Sequence, residues 1–133
     1  MPARELDHYT IRCRNLERTR DFYADVLGMS VGPRPNFNFA GYWLYCDKTP
    51  VVHLVANDGA VGGMADESAT TGRLDHIAFR GEDFDAMVES LDARGISYRS
   101  NNVRDFRIRQ LFLRDPDGIL IELNFRDPSA GSG

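Results

Sequence analysis

Cysteine is scarce in this chain: Cys13 and Cys46 are the only two among 133 residues. Two thiols do not make the disulfide framework of a small secreted domain, so both are expected to be free. Basic charge is not in excess, since 16 Lys and Arg face 20 Asp and Glu for a formal net charge of −4. That balance disfavours nucleic acid and anionic membrane surfaces as partners. No apolar run approaches the roughly 20 residues that a membrane span requires. The opening Met1-Pro2-Ala3-Arg4-Glu5 lacks the apolar stretch of a signal peptide, so a cytoplasmic location is expected. Hydrophobic residues make up 42% and charged residues 27%, a composition that argues against wholesale disorder. A chain of this length buries about two thirds of its unfolded surface and can hold one core without staples.

The strongest organising signal is an internal repeat. Residues 6–12 read LDHYTIR and residues 74–80 read LDHIAFR. Each run leads through a short polar connection into a helical pattern. Phe22, Tyr23, Val26 and Leu27 share one helical face, with Gly28 at the C-cap position. Phe84, Met87, Val88 and Leu91 form the second apolar stripe, with Asp83 as N-cap and Gly95 as stop. Each half then closes with a two-strand unit. Trp43–Cys46 leads through Asp47-Lys48-Thr49-Pro50 into VVHLV at 51–55, and Leu111–Arg114 leads through Asp115-Pro116-Asp117-Gly118 into ILIEL at 119–123. The Asp-Pro-Asp-Gly run suits a type I turn, with Pro at the second position and Gly at the fourth. One further strand is placed in each of 29–40 and 96–109. The pattern is β-α-β-β-β twice: module one at about 5–56, a Gly-, Ala-, Ser- and Thr-rich linker at about 57–72, and module two at about 73–126. Residues 127–133 are expected to form a disordered tail.

All three histidines fall on predicted strands. His8 and His76 occupy one repeat position; His53 and Glu122 occupy another, the middle of each last strand. Alternation sets His53 on a face with Val51 and Val55, and Glu122 on a face with Leu120. The opposite, fully apolar faces suit the side covered by the helices. Three imidazoles and one carboxylate form a donor set for a divalent metal, with nitrogen suited to Fe, Zn, Ni or Co and oxygen to harder ions such as Mn. A carboxylate between apolar strand neighbours is costly to bury without a cation. Blander roles compete. A lone strand histidine is more often a core or surface residue than a ligand. Glu122 can pair with Arg107 or Arg109, and the aromatics Phe37, Phe39, Tyr42, Trp43 and Tyr45 can be sheet packing. Cys46 reads as a packed thiol and Asp115–Gly118 as plain turn chemistry.

The opening LDHYTIRCRNLERTRDFYADVLGM, the second LDHIAFR and the closing LFLRDPDGILIELNF resemble the vicinal oxygen chelate superfamily. That superfamily takes in glyoxalases, epimerases, fosfomycin- and bleomycin-resistance proteins and extradiol dioxygenases. The resemblance spans about residues 5–125 and implies a single α+β domain. Its two tandem β-α-β-β-β modules would form a curved, half-barrel mixed sheet with helices on the outer face. It implies metal ligands His8, His76 and Glu122, with His53 standing where glyoxalase I carries a second glutamate. It also implies a homodimer with a small-molecule substrate.

The expected function is a metal-dependent, glyoxalase-like lyase or isomerase that stabilises an enolate or enediolate, with His53 or Glu122 as the catalytic base. An Fe(II) extradiol-type dioxygenase is the first alternative, because His8, His76 and Glu122 match a 2-His-1-carboxylate triad. Against it, Phe112 stands at that class's tyrosine position, and no histidine follows His76. A non-catalytic small-molecule-binding resistance protein is the second alternative.

Overall fold

A computed structural model describes residues 3–56 and 71–126. The chain divides into two compact units, Met1–Glu67 and Ser68–Gly133. Most of the expected linker, residues 57–70, and the expected tail, 127–133, lie outside the described residues.

Module one runs β1 (Tyr9–Cys13), α1 (Leu16–Asp21), β2 (Ser30–Gly32), β3 (Gly41–Cys46) and β4 (Thr49–Ala56). Its sheet has the order β1-β4-β3-β2, with β1 parallel to β4 and the other pairs antiparallel. Module two repeats this plan with β5 (Ile77–Gly81), α2 (Phe84–Ala93), β6 (Arg99–Val103), β7 (Ile108–Arg114) and β8 (Leu120–Arg126). Its order is β5-β8-β7-β6, again with one parallel pair, β5 with β8. The fold is therefore α+β, two β-α-β-β-β modules each holding a four-stranded mixed sheet.

Period-two alternation decides which side of each sheet is core. Val52 and Leu54 on β4 and Leu44 on β3 are fully buried. Ile121, Leu123 and Phe125 on β8 and Leu111 and Leu113 on β7 are their counterparts. Complete burial of one such side chain contributes about 1.5–3 kcal/mol, so a one-residue slip would expose a whole set and is strongly disfavoured. The intervening residues, His53 in β4 and Glu122 in β8, are left on the half-buried opposite face.

The helices begin and end on local signals. Asn15 caps α1 by accepting from the Arg18 amide at 3.0 Å. Asp83 caps α2 by accepting from the Ala86 amide at 3.1 Å. Gly28 and Gly95 end the two helical segments with φ of 75° and 67°, the left-handed conformation that favours glycine. After Asp21 the first helix widens into a π-turn over Phe22–Val26, in which the Leu27 amide donates to the Phe22 carbonyl at 3.3 Å. Tyr23 and Val26 are buried there, while Phe22 and Leu27 are half-buried. In α2 only Leu91 is fully buried; the Phe84 ring meets Phe125 edge-on at 5.5 Å.

The connections follow the same logic. The β3–β4 turn is two residues, Asp47-Lys48, tighter than the four-residue connection the sequence suggests. Asp47 takes φ 55°, as hairpin turns of this length require. Pro50 thus falls inside β4, beside the register irregularity at Leu44/Tyr45, and the pairing with β1 starts only at Val52. A residue without an N–H is tolerated there. The second turn behaves as expected. Buried Asp115 accepts from the Asp117 and Ile119 amides at 2.9 and 2.8 Å, and Gly118 takes φ 86°. Its carboxylate is consumed by turn chemistry.

Candidate metal centre and adjoining cavity

His8 and His76 lie one residue before β1 and β5, not inside them. Each is preceded by an aspartate, and each pair makes the same contact. His8 Nδ1 lies 2.6 Å from Asp7 Oδ2, and His76 Nδ1 lies 2.8 Å from Asp75 Oδ2. A carboxylate accepts, so Nδ1 carries the hydrogen in both rings; Nε2 then holds the lone pair whenever the ring is neutral, and in His76 that nitrogen also faces a second carboxylate, Glu122. This is how a carboxylate orients an imidazole for metal ligation. Strict alternation would turn Asp7 and Asp75 away from the histidines, but the contacts form because the extended pairing has not yet begun.

In module one the register brings Thr10 and Trp43 beside His53 on the two flanking strands. His53 is stacked between two rings: His8 at 3.7 Å and 11°, and Trp43 at 4.0 Å and 12°. Its Nε2 donates to the Pro50 carbonyl at 3.0 Å, which leaves the lone pair on Nδ1. Burial pushes the His53 pKa below the usual imidazole value, and the neighbouring His8 lowers it further. His53 is therefore neutral near pH 7.

A cavity of about 550 Å³ opens beside this stack, lined by His8, His53, Trp43, Phe37, Phe39 and Arg34. Phe37 and Phe39 stack at 5.0 Å, and the Arg34 guanidinium sits over both rings at 4.9 and 5.1 Å. Of the aromatics read as sheet packing, Phe37, Phe39 and Trp43 thus face a cavity. The other two fit the packing reading: Tyr42 accepts from Arg20 Nη1 at 3.0 Å and Tyr45 donates to the Pro33 carbonyl at 2.5 Å.

In module two the register places Ala78 and Phe112 beside Glu122, the positions that Thr10 and Trp43 hold in module one. The surroundings differ. Glu122 Oε1 lies 3.3 Å from His76 Nε2, and its Oε2 accepts from Asn124 Nδ2 at 2.8 Å. Asn124 accepts from Gln110 Nε2 at 3.0 Å, and Gln110 accepts from Asn101 at 2.9 Å. A polar chain thus runs from Asn101 to Asp75 across the sheet. Its hydrogen bond to Asp75 and the charge of Glu122 raise the His76 pKa above its usual value.

Each module therefore brings one expected pair together: His8 with His53, and His76 with Glu122. Among the described residues no group of three or more His, Cys, Asp or Glu side chains forms a preassembled cation site. The donor chemistry within each pair fits a divalent cation, because two imidazoles are held with Nε2 free of the backbone and a 14%-exposed carboxylate side chain adjoins one of them.

The suggested pairing of Glu122 with Arg107 or Arg109 gives way to His76 and Asn124. Arg109 pairs across the sheet with Phe125, on the helix-covered face, and its guanidinium lies over Phe84 at 4.1 Å and 3.7 Å from Asp85. Arg107 sits in a left-handed turn after the Arg104–Phe106 3-10 helix. Neither cysteine is in a disulfide; Cys13 is buried, its thiol donating to the Ile11 carbonyl at 3.6 Å, and Cys46 is exposed. The sequence reading missed Asp7, Asp75, Asn124, Gln110 and Arg34. The repeated Asp-His dipeptide, and the polar Glu122 and Asn124 two apart in an apolar strand, were the available signals.

The duplicated architecture and the paired histidines define a class, and comparison with known proteins identifies it. The family model "Glyoxalase/Bleomycin resistance protein/Dioxygenase superfamily" matches residues 5–123, and the chain belongs to that superfamily. It is 31% identical to "Glyoxylase I 4" of Arabidopsis thaliana over 121 residues, covering 89% of this chain and 68% of that protein. Among solved structures, a glyoxalase/dioxygenase from Nostoc punctiforme aligns with a TM-score of 0.72 at 18% identity, covering 93% of this chain and 92% of that one. Lactoylglutathione lyase from Agrobacterium tumefaciens gives 0.67 at 16% identity over 94% and 96% of the two chains. An antibiotic-binding protein from Streptomyces, TnmS3, gives 0.71 at 21% identity over 96% and 99%. At these identities the structures share the fold, and they span lyase, dioxygenase and binding protein alike. Among the described residues no helix is long and apolar enough to cross a membrane.

Proposed function

We propose that the protein is a metal-dependent, glyoxalase-like lyase or isomerase acting on a small oxygen-chelating substrate, with His8, His53, His76 and Glu122 as ligands of one divalent cation. The observation that carries this reading is the duplicated aspartate–histidine contact, which occupies Nδ1 of His8 and His76 and leaves Nε2 as the atom for a cation in both modules, in His76 once that nitrogen gives up its proton. The 31%-identical glyoxalase I relative supports the reaction class. A cation held there supplies Lewis-acid polarisation to adjacent substrate oxygens. His53 is the base. It is neutral near pH 7 and its Nε2 hydrogen is committed to Pro50, so Nδ1 holds its one lone pair; His53 leaves the cation as that atom takes a proton from the carbon next to a substrate carbonyl. Glu122 is the competing base; its anchoring by Asn124 Nδ2 suits a fixed ligand better than a moving one. The active protein is a homodimer of the cytoplasm.

An Fe(II) extradiol-type dioxygenase is the second reading, favoured by the aromatic wall that Phe37, Phe39 and Trp43 present beside His53. Metal analysis of protein purified without oxygen separates the two. Stoichiometric Ni, Zn, Co or Mn with no oxygen uptake supports the lyase or isomerase. Bound Fe(II) with oxygen uptake on catechols replaces it with the dioxygenase, and the absence of any stoichiometric metal overturns both.

A further inference from the structure

We propose that the cavity of module one selects a planar aromatic carboxylate, its ring taken up among Phe37, Phe39 and Trp43 and its carboxylate bound by the Arg34 guanidinium. The inference rests on the reading of His8 and His53 as the reactive side of the same cavity.

Arg34 is a built feature. It stands between Pro33 and Pro35, and the residue before a proline is confined to extended backbone. The Tyr45 hydroxyl ties down the Pro33 carbonyl at 2.5 Å. Arg34 Nη2 donates to the Phe39 carbonyl at 2.9 Å, while Phe37 and Phe39 support the guanidinium plane. Gly41 leaves it room: a Cβ at that position would come within 2.9 Å of Nη2. The guanidinium is half-buried, and among the described residues no carboxylate forms an ion pair with it. One N–H edge is anchored by the backbone, and the remaining donors of the fork match a carboxylate.

The rest of the lining sets the ligand's shape and charge. Trp43 is tilted 49° to Phe37 at 6.5 Å, so aromatic faces and edges border one space, the arrangement in which a flat ring is well received. Arg34 is the only lining residue with a permanent positive charge, and Asp7 is already engaged by His8. One cation without a second basic group suits a singly charged carboxylate better than a doubly charged phosphate.

Trp43 is the chain's only tryptophan, so its fluorescence reports on this cavity alone. Benzoate is titrated against the protein as purified and after chelator treatment, alongside benzyl alcohol, cyclohexanecarboxylate and phenyl phosphate. Benzoate is expected to bind about tenfold or more tightly than each of the others, equally well with and without chelator. Arg34→Met should weaken benzoate by about tenfold or more and leave benzyl alcohol unchanged, which also shows that the cavity is intact. Arg34→Lys should fall between. The inference is overturned if Arg34→Met leaves benzoate binding intact, if phenyl phosphate binds more tightly, or if chelation abolishes benzoate binding. The last result would place the carboxylate on the metal and leave the proposed function standing. Benzoate binding in protein that already holds no metal when purified without oxygen, before any chelator, would do the opposite, supporting the aromatic carboxylate site while removing the metal-dependent reaction.

Discussion

The two modules share a backbone plan and differ in what they place on it. In each, the second residue of the first strand and an aromatic residue of the third strand flank one position: Thr10 and Trp43 flank His53, and Ala78 and Phe112 flank Glu122. In module one that position sits in a column of stacked rings, His8, His53 and Trp43. In module two it sits in a chain of hydrogen bonds, from Asn101 through Gln110, Asn124 and Glu122 to His76. Stacking leaves a ring nitrogen uncommitted and keeps the imidazole neutral. The polar chain holds a carboxylate still, while the hydrogen bond to Asp75, with the charge of Glu122 added, raises the pKa of its imidazole partner. One scaffold thus carries a neutral imidazole in one module and an anchored carboxylate in the other, because register fixes where a side chain stands while its neighbours fix what it bonds to.

The comparison can be broken most severely at the proposed ligands. Glu122→Ala and His76→Ala should each lower metal affinity and turnover by well over about 100-fold, beyond the 10- to 100-fold typical of losing an outer-shell partner. His53→Ala should instead retain metal to a greater degree while turnover collapses. Metal content by elemental analysis, alongside activity, distinguishes the two modules. Equal metal loss in all three variants would remove the assigned difference in role.

A second test asks whether the modules are equivalent as structures. Leu54 and Leu123 hold matching core positions, paired with Ile11 and Phe79, and both are buried. Leu54→Ala and Leu123→Ala should each cost about 2–5 kcal/mol in denaturant unfolding. If the modules unfold as one, both variants shift a single transition; if not, each shifts its own.

Next come the orienting aspartates. Asp7→Asn and Asp75→Asn should each weaken metal binding by about 10- to 100-fold, read by competition with a chelator. A loss in only one would show that the duplicated contact serves just that module.

The smallest effect is on pH. The His53 pKa is lowered by folding, so its module bears no penalty above the ordinary value of 6.5 and loses stability as pH falls below it. The His76 pKa is raised, so its contribution is complete below 6.5 and is lost as pH rises through the higher folded value. The two dependences oppose each other. His53→Gln should leave a metal-free protein whose stability falls as pH rises from about 6 to about 8, and His76→Gln one whose stability rises from about 5 to about 7. Thermal unfolding across pH measures both signs.

Much of the fold was legible because apolar periodicity and duplication reinforced one another. The LDH repeats, Gly28, Asp83, Gly95 and the Asp115–Gly118 turn each announced a boundary that local physics enforces. Ser30–Gly32 and Arg99–Val103 were legible only as regions, since short strands with one unpaired edge are largely exposed and show no alternation. The widening at Phe22–Val26 carried no signal, because a π-turn uses the same residue types as an α-turn. The paired histidines were legible from the repeated Leu-Asp-His run and from the matching middle position of each last strand. Their aspartate partners were not, because alternation holds only once pairing has begun. Arg34 was missed for a similar reason. Its placement depends on two prolines, a glycine and two aromatic rings acting together, and no single spacing encodes that.

The wide turn at Phe22–Val26 also bears on how this chain can change in length. It holds one residue more per hydrogen-bonded ring than the regular helix before it. Without Ala24, the Leu27 amide would close an ordinary helical turn on the Phe22 carbonyl, and the residues after it would keep their places around the axis. Met29, now seated in the core, would stay on its present face. Shortening by that one residue is therefore compatible with both helical geometry and the core beneath it, so a variant lacking Ala24 should fold with no compensating insertion before Ser30.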